Sequence, residues 1–315
     1  MKLTYEGLIS NDSIEHTRIV IQEEELITFY IDKSQGSQSH QHLNIRNDGS
    51  THLLKLINTF NVGHNQLETE FIRNSFKRID NIIDLDFSEM DHNNGSMLDI
   101  YHINYSTTFE EGVIGQAISQ RAKEGAWWDI FWKDSPILQS DNTNANYNTI
   151  LHEIGHTLGL RHPFDDPTNE LWNSENTIMS YNMGPSGWNT WFSKTDLNAL
   201  IKIWGRENDR GVTRYENDTN YYDFKRSSTK NYFIKTEIGY EDITEINELQ
   251  FQDRLLNLEE DIIGVFNLME DMNSINSKIY RLYNAAFGRF PDRLGLEYWI
   301  EKNLSGQDDY RVTAK

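Results

Sequence analysis

The spacing of apolar residues along the chain predicts several helices. Ile72, Phe76, Ile79 and Ile83 recur at helical intervals, so an amphipathic helix is expected over residues 66–83. Apolar residues also recur every three or four positions in residues 147–158, 195–204 and 279–287. A glycine directly follows each of these three segments, as is common where helices end.

Shorter apolar segments with a period of two predict strands. They comprise residues 26–31, 85–87, 98–105, 112–119 and 126–132, and Ile19 with Ile21 suggests one more. For residues 98–105 the alternation leaves open which side faces the core. Residues 232–251 alternate weakly, as in a small β unit. We therefore expect an α+β fold.

Changes in composition predict a division into parts. Residues 1–50 are polar and mixed, and are expected to be an N-terminal extension, a propeptide or an extra subdomain. Residues 51–209 carry the main domain. Residues 210–220 are charged and contain Gly and Asn, which is typical of a linker, and residues 221–315 are expected to form a separate accessory region.

Charge and composition exclude several functional classes. The net charge of -20 argues against nucleic acid or an anionic membrane as a partner, although the carboxylates could serve Ca²⁺. The absence of cysteine excludes disulfides, thiolate metal ligands and cysteine nucleophiles. We expect neither a membrane span nor a cleavable signal peptide, because long apolar runs and a basic segment followed by an apolar core are both absent.

The strongest chemical signal is residues 150–162, ILHEIGHTLGLRH. His152 and His156 are four residues apart on a predicted helix, so their imidazoles share one face. Gly159 permits a sharp turn, which can bring His162 back as a third nitrogen ligand. Three neutral imidazoles can bind zinc at about 2.0–2.1 Å and leave one position for water, which is the catalytic arrangement.

Glu153 lies beside the first histidine and can reach that water without binding the metal. Zinc held in this way lowers the pKa of its water from 15.7 to about 7. Glu153 would accept the proton as general base and then deliver it to the leaving amine. The five-residue match alone could also be an exposed helical face without a metal, but Gly159 and His162 favour the metal site.

A second motif, Thr177–Asn182 (TIMSYN), follows in an irregular segment. Met179 lies 17 residues after His162, where a turn beneath the metal is expected. Together the two motifs resemble those of the metzincin zinc metalloproteases. Pro163 after the third histidine, with Met179-Ser180-Tyr181, is most similar to the serralysin-like branch.

The resemblance covers about residues 60–208 and implies a twisted mixed sheet over an active-site helix, with a mainly helical lower subdomain. It implies that the three histidines are the zinc ligands and that Glu153 is the catalytic carboxylate. Met179 would form the hydrophobic floor under the metal. Tyr181 would hydrogen-bond the tetrahedral oxyanion, the alternative being an ordinary buried tyrosine.

The resemblance also implies a substrate-binding edge at Gly112, Val113, Ile114 and Gly115. An extended peptide would add to this edge as a further strand through main-chain hydrogen bonds. The alternative is that the segment is an ordinary inner strand.

The function implied is that of a secreted zinc-dependent endopeptidase that hydrolyses proteins or peptides and has a proteinaceous inhibitor as a further partner. Export would follow the type I route of the family. Two alternatives stay open: a catalytically silent binding or adhesion protein built on a protease fold, and a latent enzyme held closed by residues 1–50.

The sequence departs from the serralysin pattern because it has no Gly/Asp-rich calcium-binding repeat, so Ca²⁺ lacks a visible site. Residues 279–299 instead resemble a helical module of unknown function, DUF4214, expected over about residues 276–315. Asp165 and Asp166 could form a loop cation site. The remaining histidines show no ligand spacing with one another; they are residues 16, 40, 42, 52, 64, 92 and 102.

Overall fold

The computed structural model describes residues 3–22, 24–135, 142–209, 211–244, 246–269, 271 and 273–307. The chain divides into two compact units, Met1–Gly205 and Arg206–Lys315. Each unit contains helices and strands, so the expected α+β class is confirmed. Within the described ranges, no helix combines the length and the apolar character that crossing a bilayer requires.

The first unit contains four α-helices and seven strands in its described part. The helices are α1 (Asn11–Ile21), α2 (Gln66–Asp80), α3 (Asn142–Thr157) and α4 (Lys194–Trp204), with 3₁₀ turns at Tyr5–Leu8 and Pro163–Asp165. The strands are β1 (Leu26–Ile31), β2 (Gly36–Ile45), β3 (Thr51–Asn61), β4 (Asp86–Met90), β5 (Leu98–Ser106), β6 (Gly115–Ala122) and β7 (Gly125–Trp132).

These strands form one mixed sheet, with the path β2-β3-β5-β1-β4 and with β7 and β6 beyond β5. β1 is parallel to both β4 and β5, and β7 is parallel to β5. β3 is antiparallel to β5, and β6 is antiparallel to β7. Among the described strands β6 pairs only with β7, so its outer edge is unpaired.

The sheet is covered on both faces, which explains why the strand at 98–105 showed no clear inward side. On one face, Trp128 donates a hydrogen bond from Nε1 to Thr17 of α1, and Phe29 stacks on Phe76 of α2 with ring centroids 4.2 Å apart. On the other face, the hairpin of β2 and β3 packs Ile57 into a cluster with buried residues of β5, β6 and β7.

Several predicted boundaries differ from the structure. Ile19 and Ile21 belong to α1 rather than to a strand, because their neighbours bury one helical face and Ser10 caps the helix by accepting from Ser13 N. The strand expected at 112–119 begins at Gly115 and ends at Ala122. The helix of the histidine motif begins at Asn142, earlier than expected, because its first turns are rich in Asn and Thr rather than apolar residues.

Residues 1–50, which the sequence set apart, contribute the centre of the sheet. Within this segment β1 pairs with β4 on one edge and with β5 on the other, and the Asp32 N–H also donates to Ile100 O at 2.9 Å. The expected boundary at residue 50 therefore falls between two strands of one hairpin. Removal of residues 1–50 as a propeptide would take away a strand that is hydrogen-bonded on both sides.

The second unit contains two small sheets and three α-helices in its described residues. The strands are β8 (Asn208–Asp209), β9 (Val212–Arg214), β10 (Asp223–Arg226), β11 (Tyr232–Thr236), β12 (Gly239–Asp242), β13 (Glu248–Gln250) and β14 (Leu255–Asn257). The helices are α5 (Gly264–Asn267), α6 (Ile275–Phe287) and α7 (Arg293–Leu304), with a 3₁₀ turn at Thr219–Tyr221 and a π-helical segment at Leu258–Ile263.

The order of the two sheets is β10-β11-β12 and β14-β13-β9-β8. β9 lies within the segment expected to be a linker and pairs with β13. The charged, glycine-containing sequence there gave no strand pattern. The helical segment predicted at 279–287 lies in α6, and the weak alternation at 232–251 corresponds to three short strands. Ile234, Leu249, Ile279 and Leu296 share one buried core.

Candidate metal centre and cleft

Helix α3 carries the first two predicted ligands and ends just after the second. Gly159 then adopts φ +98°, a left-handed conformation that favours glycine, as the sequence predicted. A side chain at this position would also collide with Ile14, whose Cγ1 would lie 2.6 Å from the added Cβ. The chain thus turns back sharply and returns His162 to the side of α3.

The three predicted ligands converge. One ring nitrogen from each of His152, His156 and His162 lies within 4.8 Å of the other two, a group that could hold a metal ion. The Nε2 atoms of His152 and His162 are 3.2 Å apart. Two nitrogens bound at about 2.05 Å to one tetrahedral ion would be about 3.3 Å apart, so this spacing fits a shared zinc-sized ion.

Backbone carbonyls fix the orientation of the two helical ligands. His152 donates from Nδ1 to Ile178 O at 3.0 Å, and His156 donates from Nδ1 to Leu160 O at 2.9 Å. A carbonyl can only accept, so each Nδ1 carries a proton and each Nε2 of a neutral ring presents a lone pair. A cation between these lone pairs turns a repulsive arrangement into a favourable one.

Burial also favours the neutral, ligating form of the rings. It lowers the pKa of His156 to about 4, and it holds the pKa of His152 well below its usual range, with further lowering by the neighbouring His156 and His162. The pKa of His162 is lowered by burial as well, against the opposing charge of Asp165. Neutral imidazole is the form that binds metals.

Glu153 lies on α3 facing β6 and is only 5% exposed. Burial raises its pKa to about 8, while a hydrogen bond from the Ala117 N–H opposes the shift. A Cβ at Gly115 would overlap the Glu153 carboxylate, so a larger residue where β6 crosses α3 would displace that side chain. The buried carboxylate is thus held beside the three-histidine group.

The turn predicted beneath the metal is anchored by a residue that the sequence analysis did not single out. Asp196 of α4 accepts from Thr177 Oγ1 at 2.5 Å and from Ile178 N at 2.9 Å. Met179 is fully buried, and a Cβ at Gly155 would lie 2.9 Å from its Sδ, so the methionine packs against α3. The available signal was the capping box that Asp196 forms at the start of α4.

Tyr181 lies at the mouth of the site. Its ring centroid is 5.4 Å from that of His152 and 4.9 Å from that of His162. At 53% exposure it is not the ordinary buried tyrosine of the alternative interpretation. Partial burial and the charge of Glu153 both raise its pKa, so it stays a hydrogen-bond donor at neutral pH.

A cavity of about 490 Å³ adjoins these groups. Gly112, Val113, Ile114 and Gly115 line one wall, but only Gly115 belongs to β6; the other three precede the strand. Trp188 lies on the irregular segment after the turn at Thr177–Asn182, called the methionine turn below, and also lines the cavity. No spacing or motif in the sequence distinguished it from the other tryptophans.

Three other titratable groups, Asp165, Asp166 and His102, lie outside the three-histidine group. Asp165 pairs with Arg161 at 2.8 Å, and Asp166 accepts from Asn169 at 3.1 Å; neither belongs to a ligand cluster in the described part of the chain. His102, for which the sequence gave no ligand spacing, lies with carboxylates on both sides. Glu68 is 3.3 Å from its Nδ1 and Asp134 is 3.5 Å from its Nε2. One ligand atom from each of the three residues lies within 4.8 Å of the other two, so this second group could also hold a metal ion.

Comparison with known proteins returned neither a matching protein-family model nor a matching curated protein. The geometry of the three histidines, the carboxylate and the edge strand therefore carries the functional argument.

Proposed function

We propose that this chain is a zinc-dependent endopeptidase of the metzincin type, similar to the serralysin-like branch. His152, His156 and His162 would hold the ion. The observation that carries the proposal is the convergence of three neutral imidazoles beside a buried carboxylate and an unpaired strand edge. Zinc, when bound, supplies a Lewis acid that lowers the pKa of water to about 7 and polarises a carbonyl.

Glu153 is proposed to move the proton. It is buried next to the ligands, and that burial raises its pKa to about 8, so without a cation beside it the carboxyl would be mostly protonated at pH 7 and unable to act as a base. A divalent cation nearby would lower that pKa toward the ordinary range. The carboxylate would take the proton from the attacking water and transfer it to the leaving amine, which completes peptide hydrolysis.

The edge of β6 is proposed to bind the substrate. No described strand pairs with its outer edge, so main-chain N–H and C=O groups there can hydrogen-bond to an extended peptide, apart from the Ala117 N–H, which already donates to Glu153. Such pairing recognises the main chain of the peptide rather than its side chains. The path from Gly112 to Gly115 adjoins the cavity and leads to Glu153, so a peptide paired there would lie across the catalytic carboxylate. Proteins or peptides in extended conformation are therefore the proposed substrates.

The remaining features follow from the same proposal. The mixed sheet above α3 and the buried methionine turn support a metzincin-type fold. Secretion, export by a type I system, inhibition by a protein and a DUF4214-like role for about residues 276–315 are further proposals that rest on the resemblance. None of them is needed for the chemistry.

The function is tested by zinc content and proteolysis. We expect the purified chain to bind about one zinc ion and to cleave unfolded casein, and we expect a chelator to abolish cleavage until zinc is restored, because the ion supplies the Lewis acid. Metal analysis and a fluorescent casein assay measure both. Stoichiometric zinc without cleavage of casein or of any peptide library would contradict the enzyme and favour the binding-protein alternative.

Tyr181→Phe is expected to lower kcat by about 10–10³-fold with a smaller change in KM. The hydroxyl is proposed to donate to the developing oxyanion, which it stabilises more in the transition state than in the ground state. Steady-state kinetics on a quenched peptide measure the two constants. Tyr105→Phe is the matched control, because this tyrosine is similarly exposed, at 55%, but lies on β5 opposite β3. An unchanged kcat in Tyr181→Phe would assign the ring to packing.

A further inference from the structure

The position of the third predicted ligand, His162, depends on its loop more than the positions of the other two ligands do. His152 and His156 are fixed by α3 and by hydrogen bonds from Nδ1 to carbonyls. For His162, no carbonyl or carboxylate among the described residues accepts a hydrogen bond from Nδ1. The position of this ring therefore follows the backbone of residues 159–165.

That loop pairs with the N-terminal segment of the chain. Ser10 N donates to Gly159 O at 2.8 Å, and Arg161 N donates to Leu8 O at 2.7 Å. Between them, Ile9 and Leu160 form an antiparallel bridge. The N-terminal segment thus adds a short strand to the backbone that connects α3 to the third ligand.

The chain is strained immediately after His162. Phe164 adopts φ +51° and Asp165 adopts φ +62°, and neither is a glycine. This conformation is unfavourable for a bulky side chain such as that of Phe164, so it persists only where surrounding contacts enforce it. Asp165 N donates to His162 O at 3.0 Å, and the Arg161–Asp165 ion pair closes the same turn.

Gly7 leaves open the space that the ring of Phe164 occupies. A Cβ at this position would lie 2.7–2.9 Å from three atoms of the Phe164 ring. The backbone of Gly7 is not left-handed, so glycine is favoured here by the lack of space for a side chain and not by the backbone conformation. The ring of the strained residue therefore rests directly on the backbone of the N-terminal segment.

We propose that residues 7–10 brace the loop that carries His162, and that Gly7 is a positioning residue for the third metal ligand. The inference rests on the proposed metal centre. It makes the N-terminal segment a part of that centre, so removal of the segment would weaken metal binding instead of activating a latent enzyme. The brace acts through two backbone hydrogen bonds and the contact of Phe164 with Gly7.

The test is Gly7→Ala in the full chain. We expect zinc affinity to fall by about 10–100-fold, the range seen when outer-shell partners of a metal site are removed. Competition with a chromophoric chelator measures the affinity. The visible absorption spectrum of the Co²⁺-loaded protein should change as well, because its bands respond to ligand number and geometry, which general destabilisation would leave intact.

Two further variants separate the brace from other effects. Gly264→Ala is the matched control in the second unit, where a new Cβ would meet only the flexible side chain of Arg293, and it should bind zinc as the wild type does. Phe164→Ala should itself weaken zinc binding, and Gly7→Ala should add little in that background, because the collision is gone. Phe164→Ala also tests the brace if Gly7→Ala does not fold.

The outcomes are distinct. A wild-type chain that takes up no zinc would overturn the proposed function. Suppose instead that the wild type takes up zinc and that Gly7→Ala shows the same affinity and the same Co²⁺ spectrum. That result would overturn the brace alone. If Gly7→Ala does not fold, the same result in Phe164→Ala would overturn it. The brace would also be overturned if Gly7→Ala lowered zinc affinity by the same factor in the wild-type and Phe164→Ala backgrounds.

Discussion

Replacing Glu153 by glutamine is expected to reduce turnover by about 10³-fold or more while zinc content stays at the wild-type level. Glutamine keeps the shape that fits against Gly115, but its amide cannot accept the proton of the attacking water. The loss should appear mainly in kcat, because the substrate edge at β6 is untouched. Zinc analysis and quenched-peptide kinetics on the same preparation measure both quantities.

Glu170→Gln is the control for this experiment, since this exposed glutamate lies in the irregular segment after the third ligand. It should keep wild-type turnover. Near-normal activity in Glu153→Gln would mean that another group moves the proton, and loss of zinc in that variant would mean that the carboxylate supports the metal rather than the reaction.

Asp99→Asn is expected to stabilise the first unit, by an amount that grows as the pH rises from 4 to 8. Asp99 of β5 faces Asp129 of β7 in register, and each residue is only 4% exposed. Burial raises the pKa of Asp99 to about 8, against a hydrogen bond from Ser96, and burial raises the pKa of Asp129 to about 7. Two buried carboxyls on one face are costly to ionise.

The direction follows from the protons bound in each state. Below about pH 4 both the folded and the unfolded chain hold the Asp99 proton. As the pH rises toward 8, the unfolded chain loses the proton while the folded chain keeps it, so the free energy of unfolding falls; above pH 8 the loss levels off. Asparagine removes this dependence, with a gain on the order of 3–5 kcal/mol at pH 8.

Urea unfolding at pH 5 and pH 8 measures this effect. Tryptophan fluorescence is a suitable probe, because every tryptophan except Trp299 lies in the first unit. Asp91→Asn, at a side chain that is 95% exposed, serves as the control and should follow the wild type at both pH values. A difference between Asp99→Asn and wild type that stays the same at pH 5 and pH 8 would contradict the assignment of a buried, protonated carboxyl.

The metal centre could be predicted because its signals are local. Two histidines four residues apart share a helix face, and Gly159 allows the turn that returns His162. The methionine turn was recognisable from its short motif. Asp196 anchors that turn from 17 residues beyond Met179, so its role depends on tertiary contact that spacing alone does not encode.

The N-terminal part of the fold was harder to read for a physical reason. The hairpin of β2 and β3 exposes one face, and its strands mix polar residues with exposed apolar ones such as Leu56 and Phe60, at 52% and 44%. The period-two signal is therefore weak. Burial of β1 between β4 and β5 depends on parallel pairing with distant segments, and Gly7 contacts a residue more than 150 positions away in the chain.

The central claim is that one ion is shared by three imidazoles. Crystals of the zinc-loaded chain, recorded at the zinc absorption edge, give the most direct test through an anomalous difference map. We predict one strong peak at about 2.0–2.1 Å from the Nε2 atoms of His152, His156 and His162, with Glu153 outside the coordination shell. A peak elsewhere, such as beside His102, or a ligand set without His162, would contradict the account.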